Sequence, residues 1–239
     1  MSEIQKLQEM IDESKKIVFF GGAGVSTASG IPDFRDVDGL YNQHYRYPPE
    51  YMLSLKCFDT MPKEFFKFYN KKILTCLTAK PNYTHQFLAK LEEKGKLLSI
   101  ITQNIDNLHQ KAGSKKVREL HGSVMRNYCS KCNRFYDVEY TANKYPPYCH
   151  CGGIIKPGII LYGEPLDYET SIAAINDLVD ADMLIIGGTS LTVYPAASFL
   201  DYFRGRYLVI INKQQTDKDN IADLCFHDDI NEVFKRIKI

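Results

Sequence analysis

Four cysteines in one short stretch make the clearest chemical statement in this chain. Cys129-x-x-Cys132 sets two thiolates on one tight turn, and Cys149-x-Cys151 follows after sixteen intervening residues. Two such pairs read as a structural zinc site of four thiolates with no open coordination position. The second pair is one residue shorter than the usual C-x-x-C, and Gly152-Gly153 behind it lets the backbone swing to relieve the strain. His150, between the two thiols, is an alternative ligand, and a degenerate, metal-free cluster is a third reading. Cys57, Cys76 and Cys225 are scattered in apolar or mixed surroundings. With an odd total of seven, that is no disulfide framework, and it points to a reducing compartment.

A second constellation is polar. His121-Gly122 follows the short apolar run 117–120, and Gln103-Asn104-Ile105-Asp106 follows the run 97–101. Histidine is the side chain best suited to accept a proton near neutral pH. By position alone, however, a lone histidine is usually an ordinary surface or hydrogen-bonded residue. A third constellation is built on glycine. The apolar run 17–20 ends in Gly21-Gly22-Ala23-Gly24, where the backbone can turn sharply and approach a bulky ligand. Gly22-x-Gly24 fits the first two places of a dinucleotide fingerprint, but Thr27 stands where its third glycine belongs. The ribose-binding acid expected about 20 residues further on is also missing from its place. Asp33, Arg35 and Asp36 occupy the region instead, so an unmodified hydride-transfer enzyme is disfavoured. A parallel turn, Gly187-Gly188-Thr189-Ser190, follows the apolar run 183–186 and precedes a helix start at Pro195, an arrangement suited to phosphate or ribose.

These groups need elements to hold them. Short apolar runs at 17–20, 97–101, 117–120, 159–161, 183–186, 207–211 and 224–226 read as strands. Amphipathic patterns read as helices near the N-terminus (Ile4, Leu7, Met10 and Ile11 on one face) and over 63–78, 84–93, 171–178, 195–203 and 230–237. Such alternation predicts an α/β fold, a Rossmann-like, doubly wound, mostly parallel sheet with helices on both faces. The polar residues at strand ends then share the carboxyl edge of the sheet, where ligands bind in open α/β folds. The tyrosine- and proline-rich stretch 41–51 reads as a functional loop.

Taken together, GAGVSTASGIPDFRDVDGLY (from Gly22), TQNID (from Thr102), His121-Gly122, Gly188-Thr189-Ser190 with Pro195, and the four cysteines resemble the sirtuins, the NAD-dependent protein deacylases. The resemblance runs over about residues 16–234 and implies a minimal, bacterial-type member. It implies that an acyl-lysine oxygen attacks the anomeric carbon of the nicotinamide ribose, that nicotinamide leaves, and that an alkylimidate forms. His121 would be the general base for the ribose hydroxyl that attacks it, and water would then complete the reaction to free lysine and O-acetyl-ADP-ribose. Asn104 would orient water or ribose, Phe34 would shield the cationic centre, and Ile105 and Asp106 would form the nicotinamide pocket. Gly22, Ala23, Gly24, Thr27, Asp33, Arg35 and Gln103 fall on cofactor positions, as do Gly188, Thr189, Ser190 and Asn212. Asp229-Ile230 is a weaker match near the adenine. Read without the resemblance, Asp33 and Arg35 are a surface ion pair. Ile160, Tyr162, Gly163 and Glu164, together with Val193, would sandwich the substrate peptide as an added strand. Tyr69-Asn70-Lys71-Lys72 aligns with the Tyr-x-x-Arg of desuccinylating members, with Lys72 replacing Arg and lacking its bidentate fork. Deacetylation is therefore the expected main activity.

Composition bounds the alternatives. A formal net charge of +1 over 239 residues offers no basic field for nucleic acid or an anionic membrane. No apolar run approaches the roughly 20 residues of a membrane span, and the polar, charged N-terminus is no secretory signal. The expected location is cytoplasmic. The expected division is a Rossmann-like domain from 1–36, 77–122 and 156–239, and a small domain from 37–76 and 123–155. Protein ADP-ribosyl transfer, removal of longer or acidic acyl groups, and a non-catalytic zinc-ribbon binding module are the competing readings.

Overall fold

The computed structural model describes residues 1–33 and 47–239. Phe34 and Arg35, both expected at the cofactor, lie outside the described residues. The chain begins with helix α1 (Glu3–Glu13), capped by Ser2 and Gln5 in a reciprocal capping box. Two short 3-10 turns (Ala23–Val25 and Thr27–Ser29) follow strand β1 (Ile17–Gly21), and the described residues resume at 47 with the helical segment α2 (Pro49–Met52), α3 (Leu55–Thr60) and α4 (Pro62–Phe68). Helix α5 (Tyr83–Glu93), β2 (Leu97–Thr102), α6 (Leu108–Lys111) and β3 (Val117–Glu119) follow. Next come β4 (Gly122–Cys129), β5 (Phe135–Asp137), α7 (Val138–Thr141) and β6 (Ile155–Ile159). The chain closes with α8 (Tyr168–Asp180), β7 (Met183–Gly187), β8 (Tyr207–Ile211), β9 (Leu224–Phe226) and α9 (Ile230–Lys235).

Six strands form a parallel sheet in the order β3-β2-β1-β7-β8-β9. Along β1, Ile17 and Phe19 enter one core with α1, α5 and α9, while Val18 and Phe20 enter the other with α8. A strand buried on both faces must be apolar at every position, which is why these runs show no alternation. The order reverses between β1 and β7, and the register is flush there: Gly21 pairs with Thr102 and with Gly187. A crevice therefore opens at the carboxyl ends of the central strands, at the switch point.

The small antiparallel sheet has the order β5-β4-β6. A second aromatic core joins it to the helical segment, with Phe58, Phe65, Phe66 and Tyr69 packed beside Val124, Val138 and Ile159. The Asn70 side chain fastens the two parts further, reaching Asn143 and Lys144.

Three elements differ from expectation. The strand near 159–164 lies earlier, at β6, because Pro157 and Gly158 hide it; an edge strand tolerates a missing donor. The helix over 63–78 is continuous but changes pitch, passing from α4 into a π-turn (Tyr69–Ile73) and a 3-10 turn (Leu74–Thr78). Residues after Pro195 form a 3-10 helix, Ala196–Tyr202.

Candidate functional site

The carboxyl edge of the large sheet and the small lobe enclose a cleft of about 330 Å³. Its floor is the turn after β1. Gly24 donates its N–H to the Gly188 carbonyl at 2.9 Å, and a Cβ on Gly24 would lie 2.8 Å from the Gly188 Cα. Gly22 is equally tight against Thr189. The glycines thus let two strand-end turns touch, and the contact shapes the floor. Thr27 donates to the Gly24 carbonyl at 3.0 Å and stays within the turn.

From β2 a polar set reaches across this floor. Asn104 Nδ2 donates to the Gly22 carbonyl at 3.0 Å and to Ser26 Oγ at 3.1 Å. Ser26 Oγ in turn donates to Asp106 Oδ2 at 2.7 Å. Burial pushes the Asp106 carboxyl above its ordinary range, while the bonds from Ser26 and the Leu108 N–H oppose the shift. Gln103 Nε2 spans to Thr189 Oγ1 at 3.1 Å and so links the two edges.

His121 stands beside this set. Its Nδ1 lies 2.9 Å from the Gln103 carbonyl oxygen. A carbonyl only accepts, so Nδ1 carries the proton and Nε2 keeps its lone pair. Burial holds the imidazole pKa below its ordinary value, with the Gln103 bond opposing, so the ring is neutral at pH 7. A partly buried, neutral imidazole of fixed tautomer at a cleft is equipped to take a proton.

The cleft brings together Gly22, Ala23, Asp33, Gln103, Asn104, Ile105, Asp106, His121, Gly188, Thr189 and Ser190 with Ile160, Tyr162, Gly163, Glu164 and Val193. Gly24 and Thr27 belong to the same turn but are not among the lining residues. Asn212, Asp229 and Ile230 sit further along the sheet edge. Asn212 Nδ2 donates to the Gln214 carbonyl, Asp229 caps α9 and pairs with Lys213, and the Ile230 side chain is buried under Gly187. Glu164 accepts from the Leu161 N–H and from Lys156, folding its own turn. Sequence reasoning missed Ser26, Leu53, Ile73 and Cys76 as lining residues. Ser26 sits inside the glycine-rich motif and was legible there; the others come from the small lobe and carry no local signal.

The small sheet carries the thiols. Sγ of Cys129, Cys132, Cys149 and Cys151 all lie within 4.8 Å of one another, the closest pairs at 3.5 and 3.6 Å. A tetrahedral zinc with bonds of about 2.3 Å needs sulfurs about 3.8 Å apart, so the residues fit the ion. Gly152 takes a left-handed φ of 80°, and a Cβ on Gly153 would lie 2.7 Å from Cys129 Sγ. Both glycines are what the shortened C-x-C pair requires. The Cys151 N–H and the Tyr136 hydroxyl donate to Cys149 Sγ and draw that thiol down to about 6.

The Sir2 family model matches residues 22–195. This chain belongs to the Sir2 family. It is 53% identical to the NAD-dependent protein deacetylase of Clostridium perfringens, with 98% of each chain covered. It is 50% identical to that of Clostridium acetobutylicum, over 99% of this chain and 98% of the other. A Sir2 histidine-to-alanine variant solved with deacetylated p53 peptide and 3'-O-acetyl ADP ribose superposes with a TM-score of 0.91. It is 40% identical and matches 98% of this chain and 97% of its own. A Sir2–p53 peptide–NAD+ complex, also 40% identical, gives 0.87 over 99% and 97%.

Proposed function

We propose that this chain is an NAD-dependent protein-lysine deacetylase that yields nicotinamide, deacetylated lysine and O-acetyl-ADP-ribose. The observation that carries the reading is His121: a neutral imidazole, its Nδ1 tied to Gln103, at a cleft whose floor is two apposed glycine turns. NAD is the consumed co-substrate. Gly22, Ala23 and Gly24 with Gly188, Thr189 and Ser190 hold its phosphates and riboses, and Thr27 and Asp33 border them. Asn212, Asp229 and Ile230 serve the adenosine end, and Phe34 and Arg35 belong to the same set through their motif. Gln103, Ile105 and Asp106 form the nicotinamide end. His121 accepts the ribose-hydroxyl proton at Nε2, and Asn104 positions ribose or water. Ile160–Glu164 and Val193 flank the acyl-lysine peptide in extended form. Zinc, when bound by the four cysteines, supplies a structural crosslink of the small lobe.

This reading divides the chain into two lobes, a Rossmann-like domain of residues 1–36, 77–122 and 156–239 and a small domain of 37–76 and 123–155, with the β6 residues 156–159 paired into the small sheet. The free state of every cysteine among the described residues suits a reducing, cytoplasmic setting. No helix of the described residues is long and apolar enough to cross a membrane.

The acyl preference rests on the π-turn after α4. Lys72 lines the cleft, but Tyr69 is 2% exposed and stacks on Phe65 in the aromatic core. Tyr69 and Lys72 therefore do not form a joint carboxylate clamp, and acetyl-lysine is preferred over succinyl-lysine. The test is mass spectrometry of paired acetyl- and succinyl-lysine peptides with NAD, with His121→Ala in parallel. Acetyl loss with O-acetyl-ADP-ribose formed, reduced at least 100-fold in the variant, is expected. ADP-ribose added to the protein substrate without acetyl loss, or faster succinyl loss, would overturn the corresponding part.

A further inference from the structure

Helix α5 begins directly under the turn that floors the cleft, and its first residues are polar where they meet that turn. Asn82, the N-cap, uses every polar atom of its side chain. Oδ1 accepts from the Thr84 N–H at 3.0 Å, which caps the helix. Nδ2 faces the other way and donates to the Val25 carbonyl at 2.8 Å and to Ser29 Oγ at 3.0 Å. Val25 ends the first 3-10 turn after β1, and Ser29 ends the second. One amide therefore clasps both halves of the glycine-rich turn.

The opposite side of the turn is held from β2 by Asn104, on Gly22 and Ser26. The turn is thus pinned between two asparagines. Asn104 lines the cleft; Asn82 does not. A relay extends the α5 anchor to the far end of the sheet edge. Thr84 donates its N–H and hydroxyl to Asn231 Oδ1 at 3.1 and 3.0 Å. Asn231, 4% exposed, donates from Nδ2 to Asp229 Oδ1 at 3.0 Å, and Asp229 pairs with Lys213 at 2.9 Å. The N-terminus of α5 joins the phosphate-side turn to the residues read as the adenosine end.

We propose that Asn82 is a positioning residue for NAD, setting through its Nδ2 the shape of the glycine-rich turn without touching the nucleotide. The inference rests on the reading of this cleft as the NAD site. Two substitutions separate it from simple helix capping. Asn82→Ser and Asn82→Asp both retain a good N-cap acceptor, but serine is too short to reach Val25 and aspartate has no N–H to donate. Serine carries no charge, so a shared effect is not repulsion of phosphate.

The experiment measures NAD affinity by calorimetry, KM for NAD and for an acetyl-lysine peptide, and the melting temperature. Both variants are expected to melt within a few degrees of wild type. NAD binding and KM for NAD should weaken about tenfold, the worth of two hydrogen bonds at about 1 kcal/mol or less each. KM for the peptide at saturating NAD should stay within about twofold. NAD affinity equal to wild type in either variant, or a parallel rise in both KM values, would overturn the proposal. So would a collapse of the melting temperature in both, which would make Asn82 a structural cap only. Wild-type protein that binds NAD but deacetylates nothing would sink the functional reading, while the affinity comparison would still decide this one.

Discussion

The chemistry of His121 is set by what its ring faces. Because Nδ1 donates to a carbonyl, only Nε2 titrates in the useful direction. Burial disfavours the imidazolium, so the folded pKa lies below the ordinary histidine value. A base must be unprotonated to act, so its activity is complete above that depressed value and lost as pH falls through it. We expect the acid limb of kcat/KM for the acetyl peptide to be centred below the ordinary histidine value of about 6.5. A pH-rate profile with its acid limb centred above pH 6.5 would contradict this. The shift also costs stability in acid, because the unfolded chain binds the proton more readily.

Among elements, α5 and α6 share a feature with a larger effect of that kind. His85 and His109 are buried, 0% and 1% exposed, with ring centroids 4.7 Å apart. His85 Nδ1 sits in the capping box with Asn82, while His85 Nε2 and both nitrogens of His109 have no hydrogen-bond partner among the described residues. Burial lowers the His85 pKa to about 4, and that of His109 falls well below the usual value through burial and its neighbour. A lowered histidine pKa means that the unfolded state binds protons first. Stability is then full above about pH 6.5 and declines as pH falls toward 4. For His85 alone the loss approaches about 3 kcal/mol. Asp106, whose pKa is raised, has the opposite sign and blunts the decline at its acid end. Urea unfolding from pH 7 to pH 4.5 should show this slope, and His109→Leu should flatten it. An equal slope in that variant would remove His109 as one of its causes.

On the scale of the whole molecule, the two sheets differ in how they are held. The six-stranded sheet lies between two large apolar cores. The core around the thiols comprises Cys129, Tyr136, Cys149 and Ile155, with Tyr140 against it. So small a cluster needs a crosslink. Protein purified without added zinc should carry about one equivalent. Its removal by a chelator should cost several kcal/mol and lower the melting temperature by roughly 10 °C, with most of the helical circular dichroism kept. The second aromatic core joins this module to the π-turn at the cleft, so deacetylation should fall with the metal. Metal-free protein that melts at the same temperature would refute the structural role.

The sequence by itself determined the parallel sheet, the order of its motifs and the four-thiol cluster, because each is written locally. A strand buried on both faces must be a run of apolar residues, a strand-end turn packed this tightly on its neighbour leaves room only for glycine, and two thiols at C-x-x-C or C-x-C spacing can reach one ion from a single turn. It also marked His121 and Asn104, since polar residues directly after such runs land on one sheet edge. Strand β6 escaped notice because Pro157 and Gly158 do not look like a strand. What only the tertiary structure decided depends on contacts between distant residues. These include the pinning of one turn by Asn82 and Asn104, the tautomer imposed on His121 by Gln103, and the burial of His85 against His109. The burial of Tyr69 in the aromatic core beside Val124, Val138 and Ile159 belongs with them. None is encoded in spacing along the chain, because hydrogen bonds and packing act through space.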